Sequence, residues 1–305
     1  MSYQAIKNRI DNEELVILDG AIGTELERRG VPMDHESWSA PASLEHADVL
    51  EAIHLDYIRA GARVVTANTF STSRLMLEAA GYGDRVEEVN RASVEAAQRA
   101  RARSGCADVA VAGSISHWTE GQPGKPQPSD QQLADVFGEL AVILKDSGAD
   151  LILLEMMYIP ERIEIARKAA VDTGLPVWMG FSARAGDDGE ILSFRDGVDM
   201  PFIELVQSTN TEGVHAMGAM HTSSHLVSGA LATIHDHFDG PTYAYPDSGY
   251  FEMPNWKFED VIPPSELGKF ASQWEDEGVA AVGGCCGLSP EHIKAVRDRC
   301  LSQTS

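Results

Sequence analysis

Short runs of apolar, often β-branched residues recur along the chain and alternate with longer segments of helical periodicity. Most of these runs are almost continuously apolar, which is typical of parallel strands that are covered by other elements. The pattern predicts eight strands, at Leu15–Asp19, Arg63–Ala67, Val109–Gly113, Leu151–Glu155, Val177–Phe181, Val214–Ala219, Thr242–Tyr245 and Ala280–Gly283.

Helical segments occupy intervals between these strands. In Ala47–Ala60 apolar residues recur every three or four positions, and Gly61 follows as a stop signal. Ser289 and Pro290 suit the N-cap and first position of a last helix. Further helices are predicted at Asp84–Arg103, Gln131–Lys145 and Pro160–Thr173.

Eight strand–helix repeats favour a closed α/β fold, a single (β/α)₈ TIM barrel, over an open doubly wound sheet. A length of 305 residues is ordinary for one such barrel, and no linker is evident, so one domain is predicted over residues 1–305. Asp19-Gly20-Ala21-Ile22-Gly23 lacks the glycine spacing of a dinucleotide-binding fingerprint. The long polar segments His117–Asp130 and Pro246–Pro264 follow strands, so we expect them at the catalytic rim.

The chain is strongly acidic, with 24 basic and 47 acidic residues and a formal net charge of −23. Such a surface repels phosphate backbones and anionic lipids, so we expect no nucleic-acid partner and no membrane partner. Met1–Glu14 lacks the apolar core of a signal peptide, and runs such as Leu151–Leu154 are too short to span a bilayer. A cytoplasmic location is therefore predicted, and assembly into a homo-oligomer is left open.

The strongest chemical signal is Gly283-Gly284-Cys285-Cys286-Gly287, at the carboxyl end of the eighth predicted strand. Two adjacent thiolates can bind one metal ion if the backbone bends sharply, and the flanking glycines permit a bend. Zn²⁺ is the usual metal for paired thiolates. Four cysteines do not make a disulfide framework, and two buried structural cysteines are the alternative.

A catalytic zinc ion usually has three protein ligands and one open position. Cys106 lies before a strand and Cys300 lies late in the last helix, so neither suits the catalytic rim. His221 falls just past the sixth predicted strand, on the same rim as Cys285. The sequence thus predicts a zinc site of His221, Cys285 and Cys286, with a loop histidine that binds no metal as the alternative.

Six segments in this order resemble the homocysteine S-methyltransferase family. That family includes betaine–homocysteine and S-methylmethionine–homocysteine methyltransferases and the homocysteine domain of cobalamin-dependent methionine synthase. The resemblance extends from Leu15 to Arg299 and is carried by Leu18–Leu26, His54–Ala62, Thr66–Phe70, Asp150–Glu155, Tyr245–Gly249 and Gly283–Gly287.

The resemblance implies zinc-dependent methyl transfer from a small sulfonium or ammonium donor to the thiol of homocysteine, which gives methionine. Glu155 would hold the ammonium group of the amino acid, and Glu155 and Asp19 are the expected catalytic residues. The substrate-binding residues expected on this basis are Asp19, Gly20, Asn68, Glu155, Ser182, Trp118 and Tyr245. Onium donors favour aromatic faces, and the candidate rings are Trp118, Phe70, Phe181, Tyr245 and Tyr250.

The sequence departs from the family at two places. The family's third zinc ligand is a cysteine that ends the sixth strand, whereas the matching segment Gly218–His221 ends in histidine. A rival alignment places Gly213–Ala216 on that motif and leaves alanine at the ligand position. In the loop after the third strand, Ser114–Trp118 replaces residues of the Gly-Pro-Tyr-Gly kind, which leaves the identity of the substrate open.

Two other functions use the same residues. A zinc hydrolase would activate water in place of a thiol, and turnover of esters or amides would distinguish it from a methyltransferase. A non-catalytic barrel would bind a ligand without a metal, and zinc analysis of the Cys285→Ala and His221→Ala variants would identify it.

Overall fold

The structure, a computed structural model, describes residues 2–118, 127–195, 197–252 and 254–301. Eight parallel strands pair in a continuous order around one sheet. A bridge between Leu18 and Val64 joins the first strand to the second and closes the sheet into a barrel. The predicted (β/α)₈ barrel is thereby confirmed, and all eight predicted strands correspond to barrel strands.

The barrel consists of β1 to β5, β8, β9 and β12, while β6–β7 and β10–β11 are two antiparallel hairpins. The twelve strands are β1 (Val16–Ile17), β2 (Val64–Thr66), β3 (Ala110–Ser116), β4 (Leu151–Met157), β5 (Val177–Phe181), β6 (Ala183–Ala185), β7 (Ile191–Ser193), β8 (Val214–Ser223), β9 (Thr242–Asp247), β10 (Tyr250–Glu252), β11 (Asn255–Lys257) and β12 (Ala281–Val282).

The helices cover the outside of the sheet, apart from α1 at its lower end, and a 3₁₀ turn at Gly83–Arg85 precedes the longest of them. They are α1 (Ser2–Asp11), α2 (Ile22–Arg28), α3 (Ala42–Glu45), α4 (Ala47–Ala60), α5 (Arg74–Ala79), α6 (Val86–Ser104), α7 (Asp130–Asp146), α8 (Pro160–Val171), α9 (Phe202–Ser208), α10 (Ser224–His235), α11 (Pro264–Asp276) and α12 (Pro290–Cys300).

Alternate residues of each strand face two separate apolar layers, as the period of two along a strand requires. Val65, Val111 and Ile152 belong to the layer between the sheet and the helices. Their neighbours along the strands belong to the barrel interior, which small and large side chains fill together, including Ala110, Ala112, Trp178, Tyr243 and Tyr245. The interior is thus a packed core, and the site chemistry must lie at its rim.

Helix α1 closes the amino-terminal end of the barrel. Ile6 is fully buried in the interior layer, and the hydroxyl of Tyr3 accepts a hydrogen bond of 3.2 Å from the indole of Trp178. In (β/α)₈ barrels the amino-terminal end contributes to stability, and the active site lies at the opposite, carboxyl-terminal rim.

The sequence pattern missed several elements and misplaced some strand ends. It predicted neither hairpin, because three-residue strands carry little periodicity. It ended the sixth barrel strand at Ala219, whereas β8 continues to Ser223 and contains His221. Of the segment His117–Asp130, residues 119–126 lie outside the described residues, and Pro246–Pro264 contains the β10–β11 hairpin.

No helix in the described parts of the chain combines the length and the apolar character needed to cross a membrane.

His54 of α4 is fully buried, and neither ring nitrogen has a hydrogen-bond partner among the described residues. Burial lowers its pKa to about 3, against about 6.5 in an unfolded chain. Between about pH 6.5 and pH 3, His54 is therefore protonated in the unfolded state but neutral in the folded state. Stability is lost as the pH falls through this range.

We expect His54→Leu to raise the free energy of unfolding by about 1 kcal/mol at pH 7 and by about 1.4 kcal/mol more for each pH unit below 6.5. Urea titrations between pH 7 and pH 5 measure the difference. His237→Leu, at an exposed histidine, is the matched control and should leave the pH dependence unchanged. If the free energy of unfolding changed with pH in the same way in His54→Leu and in the wild-type chain, the lowered pKa of His54 would be contradicted.

Candidate metal centre and active site

A pocket opens at the carboxyl ends of the barrel strands. Eight residues that the sequence predicted for the site line it, namely Gly20, Asn68, Phe70, Glu155, His221, Tyr245, Cys285 and Cys286. Residues that the sequence did not predict complete the wall, including Gly23, Trp38, Ser39 and Thr66.

The two cysteines lie in a tight turn directly after β12. The backbone N–H of Gly284 donates to the carbonyl of Asp19 at 3.0 Å, and that of Ser248 donates to the carbonyl of Cys286 at 2.9 Å. Gly287 has a φ of 81°, and a Cβ there would overlap the carbonyl oxygen of Ser248. Only glycine fits this position, so the turn holds both buried thiols beside the pocket.

His221 lies within β8 at an irregular point of the strand, because the pairing with β9 shifts register between Met220 and Ser223. Its φ is 46°, an uncommon backbone conformation for a residue with a side chain. The hydroxyl of Ser182 donates to the carbonyl of Met220 at 2.7 Å, and the backbone N–H of Ala183 donates to the hydroxyl of Thr222 at 3.0 Å. These contacts support the bulge that turns His221 towards the cysteines.

His221, Cys285 and Cys286 bring one ligand atom each to within 4.8 Å of one another, and all three residues are buried. The two sulfurs are 4.0 Å apart, and Nδ1 of His221 lies 3.7 Å from Cys285 and 3.9 Å from Cys286. Bond lengths of about 2.3 Å to sulfur and 2.05 Å to nitrogen give separations of about 3.8 and 3.6 Å around a tetrahedral zinc ion. The donor set and its spacing therefore fit zinc.

Glu155, near the carboxyl end of β4, connects this group to the rest of the pocket. Its Oε1 lies 3.0 Å from Nε2 of His221, and its Oε2 accepts a hydrogen bond from the hydroxyl of Ser114. The carboxylate is 7% exposed, so both oxygens are held in place by buried partners.

Neighbouring charges distinguish the two thiols. The pKa of Cys286 is lowered to about 7, mainly by a hydrogen bond from Cys285 and, against the effect of burial, by the charge of His221. The pKa of Cys285 is raised well above its usual value, first by burial and then by Cys286. Burial opposes protonation of His221, but Cys286 and Glu155 together raise its pKa well above 6.5. Cys286 is therefore the more readily ionised thiol.

Asp19 lies behind the pocket wall and is fully buried. Its carboxylate accepts hydrogen bonds of 2.6 Å from the hydroxyl of Tyr245 and from the backbone N–H of Thr66. Burial, the largest effect, raises the pKa of Asp19 to about 7, although these hydrogen bonds lower it. Because Tyr245 and Thr66 both line the cavity, Asp19 acts on the pocket through them.

Aromatic rings form one side of the cavity. The ring centroid of Phe70 lies 5.7 Å from that of His221, and the indole of Trp118 stacks on Phe70 at 5.7 Å. Trp38 meets Phe70 edge-on at 6.4 Å, and its φ is 50°. The Nε1 of Trp38 is buried without a hydrogen-bond partner in the described residues.

Trp38 is the main residue that the sequence analysis missed. Its sequence context could have identified it, because a large aromatic residue stands out in the polar segment between the first two strands. Asp34 accepts hydrogen bonds from the backbone N–H groups of Glu36 and Ser37 at 2.9 and 2.7 Å. These bonds shape the turn that leads into Trp38. Gly23 provides the space for the indole, because a Cβ there would lie 2.6 and 2.8 Å from two of its ring atoms.

Some expected site residues lie elsewhere. Phe181 packs against Phe202 in the layer between the sheet and the helices, and Tyr250 is 50% exposed on β10. Ser182 supports the backbone of β8, and Trp118 contacts the pocket through Phe70. Asn68 lines the cavity, but its amide is already hydrogen-bonded to Ser39 and Ser43.

The chain is similar to known methyltransferases over nearly its whole length. A family model described as homocysteine S-methyltransferase matches residues 16–300. A selenocysteine Se-methyltransferase of Brassica oleracea var. italica is 28% identical over 95% of this chain and 90% of that protein. A homocysteine S-methyltransferase of Escherichia coli K12 is 27% identical over 95% of this chain and 96% of that protein.

Among solved structures, the metallated form of the homocysteine methyltransferase MmuM from Escherichia coli is similar, with a TM-score of 0.78 and 25% identity. The alignment covers 97% of this chain and 99% of that one. The oxidized form of the same protein gives a TM-score of 0.80. The chain therefore belongs to the homocysteine S-methyltransferase family.

Proposed function

We propose that this protein transfers a methyl group from a small onium donor, preferably a sulfonium, to the thiol of homocysteine, with zinc held by His221, Cys285 and Cys286. The observation that carries the proposal is the spacing of these three residues at the rim of the barrel, which fits a tetrahedral zinc ion. Three protein ligands leave one coordination position for a substrate, as in other catalytic zinc sites.

An unperturbed alkyl thiol has a pKa of about 8.5 and is a weak nucleophile at neutral pH. Bound zinc would supply the positive charge that makes the substrate thiol ionise at neutral pH. The sulfur then forms a bond to the donor methyl carbon while the carbon–sulfur bond of the sulfonium breaks, which leaves a neutral thioether and methionine. The pocket contributes by aligning the two substrates.

The acceptor end of the pocket suits an amino acid. Glu155 presents a buried carboxylate beside the ligand group and is placed to hold an ammonium group. Gly20 and Tyr245 line the same pocket, and Asp19 keeps the Tyr245 hydroxyl in position. We assign Asn68 and Ser182 to positioning the wall, since their polar atoms bond to protein groups.

The donor end is aromatic. Phe70 and Trp38 present their rings to the cavity beside His221, and each ring that faces a desolvated onium ion contributes about 1–2 kcal/mol. A histidine in place of a third cysteine makes the site less negative by one charge. The bound thiolate is then held more tightly and is less nucleophilic, which favours a reactive donor such as a sulfonium over betaine.

Family membership supports thiol methylation over the zinc hydrolase and the non-catalytic barrel. The test is a donor screen with purified protein, zinc and homocysteine, in which each donor carries a deuterated methyl group. The donors are S-methylmethionine, S-adenosylmethionine, dimethylsulfoniopropionate and betaine. We expect mass spectrometry to detect labelled methionine with at least one sulfonium and about tenfold less with betaine, which corresponds to about 1.4 kcal/mol in the barrier. Absence of labelled methionine with every donor would contradict the proposal.

Two further experiments in the same screen test the acceptor and the effect of the third zinc ligand. Selenocysteine, the acceptor in the name of the Brassica relative, replaces homocysteine in one of them. In the other, His221→Cys restores a third thiolate, and we expect the rate with betaine to rise relative to the rate with a sulfonium. If His221→Cys changed neither zinc content nor donor preference, the charge explanation would fail.

The packing of Trp38 on Gly23 gives a separate prediction for the donor end. We expect Gly23→Ala to raise the KM for the donor about tenfold, because the added Cβ displaces the indole and removes one cation–π contact of about 1.4 kcal/mol. Zinc content should not change. Gly138→Ala is the matched control, since a Cβ there meets no atom within 4 Å. Equal KM values in the two variants would show that Trp38 does not contact the donor.

A further inference from the structure

A histidine binds a metal ion through a ring nitrogen only when that nitrogen presents a lone pair, so the other nitrogen carries the proton. In this site the nitrogen that carries the proton can be deduced. Nε2 of His221 lies 3.0 Å from Oε1 of Glu155, and a carboxylate oxygen only accepts hydrogen bonds. The proton of a neutral His221 ring therefore resides on Nε2, and Nδ1 presents the lone pair.

The sulfur positions agree with this tautomer. Nδ1 lies 3.7 and 3.9 Å from the two sulfurs, close to the separation of about 3.6 Å expected around tetrahedral zinc. Nε2 is 3.2 Å from Cys285, which is short for two ligands of one zinc ion, and it already has the carboxylate as a neighbour. The geometry thus favours Nδ1 on distance as well as on proton position.

Glu155 is itself fixed. The hydroxyl of Ser114 donates to Oε2, Ser114 is fully buried, and His221 and Glu155 are each 7% exposed. The backbone N–H of Ser114 donates to the hydroxyl of Thr69 at 2.9 Å, which anchors the serine in turn. The two segments in which the sequence departs from its family, one beginning at Ser114 and one ending at His221, therefore meet at this carboxylate.

We infer that Glu155 is a positioning residue that holds His221 as the tautomer whose Nδ1 binds zinc, so that Ser114, Glu155 and His221 form one hydrogen-bonded unit behind the metal. This inference rests on the proposed function, because it takes His221 as a zinc ligand. It adds a role to Glu155 without excluding the first one, since each carboxylate oxygen has a second lone pair for a substrate ammonium group. A cysteine ligand has no tautomer to fix, so this second role of Glu155 arises only with histidine at position 221.

The first test measures zinc affinity without substrate, so that any contact between Glu155 and the amino acid does not contribute. Zinc is titrated against a chromophoric chelator for the wild-type chain, Glu155→Gln and Asp247→Asn. Asp247 is the matched control because it acts on His221 only through its charge, with no hydrogen bond between them in the described residues. Circular dichroism and melting curves confirm that both variants are folded.

We expect Glu155→Gln to weaken zinc binding about 10- to 100-fold, as removal of a carboxylate behind a histidine ligand does elsewhere. Asp247→Asn should change it less than about threefold, because it leaves the hydrogen bond to Nε2 intact. A loss in Glu155→Gln no larger than in Asp247→Asn would overturn the inference, since charge alone would then account for it.

The second test identifies the ligand nitrogen. In protein labelled with ¹⁵N-histidine, long-range ¹H–¹⁵N spectra before and after zinc addition should show Nδ1 of His221 shifted by the metal and Nε2 protonated. Metal at Nε2 would overturn the inference and leave the zinc site standing. Zinc uptake with neither His221 nitrogen affected, or no uptake at all, would show that the proposed ligand set itself is wrong.

Discussion

Cys285→Ala is expected to empty the metal site and to lower methionine formation about a thousandfold. The variant removes one of two thiolates, and His221 and Cys286 alone form an incomplete zinc site. Without the metal the substrate thiol stays protonated at neutral pH, and the lost ionisation and alignment together cost several kcal/mol in the barrier. Metal analysis and initial rates on the same preparation provide the measurement.

Cys106→Ala is the control for this change. Cys106 is half-buried in the turn before β3, and the hydrogen bond of its sulfur goes to the carbonyl of Ser104, at 3.9 Å, well away from His221, Cys285 and Cys286 in the barrel rim. It should keep wild-type zinc content and rate. A Cys285→Ala protein that retained full activity after losing its zinc would exclude a metal-dependent reaction.

Asp19→Asn is expected to stabilise the protein at neutral pH and to impair it as an enzyme. The pKa of Asp19 is about 7 in the folded state, against about 3.9 in an unfolded chain. Folding therefore favours the protonated acid, and its contribution to stability is complete below about pH 4 and lost as the pH rises through 7. Asparagine carries no charge and avoids that loss.

We expect the free energy of unfolding of Asp19→Asn to exceed that of the wild-type chain by about 2 kcal/mol at pH 7 and by little at pH 4. Urea titrations at the two pH values measure this. The rate should fall about 100-fold, because the Tyr245 hydroxyl and the Thr66 backbone lose a charged acceptor and the pocket wall shifts. Unchanged activity would show that Asp19 has no part in the reaction.

Tyr245→Phe separates the two effects of Asp19. This variant keeps the carboxylate but removes the hydroxyl that donates to it. Because that hydrogen bond lowers the pKa of Asp19, we expect the pH at which stability is lost to move upwards. Activity should fall less than in Asp19→Asn, since the Thr66 contact remains. A lower transition pH would contradict this account.

Much of the fold could be predicted because each barrel strand is an apolar run between helices of regular period. The eight predicted strands all exist, and α4 spans the predicted Ala47–Ala60. The β6–β7 and β10–β11 hairpins escaped because strands of three residues, exposed throughout in β10, have no hydrophobic pattern to detect. They pair through backbone hydrogen bonds, which depend little on side-chain type.

Cys285 and Cys286 could be proposed because the Gly-Gly-Cys-Cys-Gly run is local in the sequence, and His221 could be proposed because it follows a predicted strand that ends at the same rim. The supporting contacts could not, since they join residues far apart along the chain. Ser114 and Glu155 are 41 positions apart, and Glu155 and His221 are 66 apart. Nor did the pattern show that β8 would bulge at His221, because the hydroxyls that support the bulge come from Ser182 and Thr222.

Trp38 illustrates a different limit. Its role depends on a turn formed by Asp34 and on the missing side chain of Gly23, neither of which is a periodic feature. Phe181 shows the converse, because it is the last residue of an apolar strand, where site residues are expected, and yet its ring faces the helix layer. Whether such a residue faces the pocket or the helix layer depends on which face of the strand it occupies, and a shift of one residue in register moves it to the other face.

The most direct test of zinc-dependent thiol methylation is the rate of methionine formation as a function of zinc occupancy. Zinc is removed with a chelator and returned in steps to the same preparation, with homocysteine and the sulfonium donor in excess. We expect the rate to rise in proportion to zinc and to level off at one zinc ion per chain, with almost no rate at zero occupancy. A full rate in the zinc-free protein, or saturation with zinc and no methionine, would contradict the account.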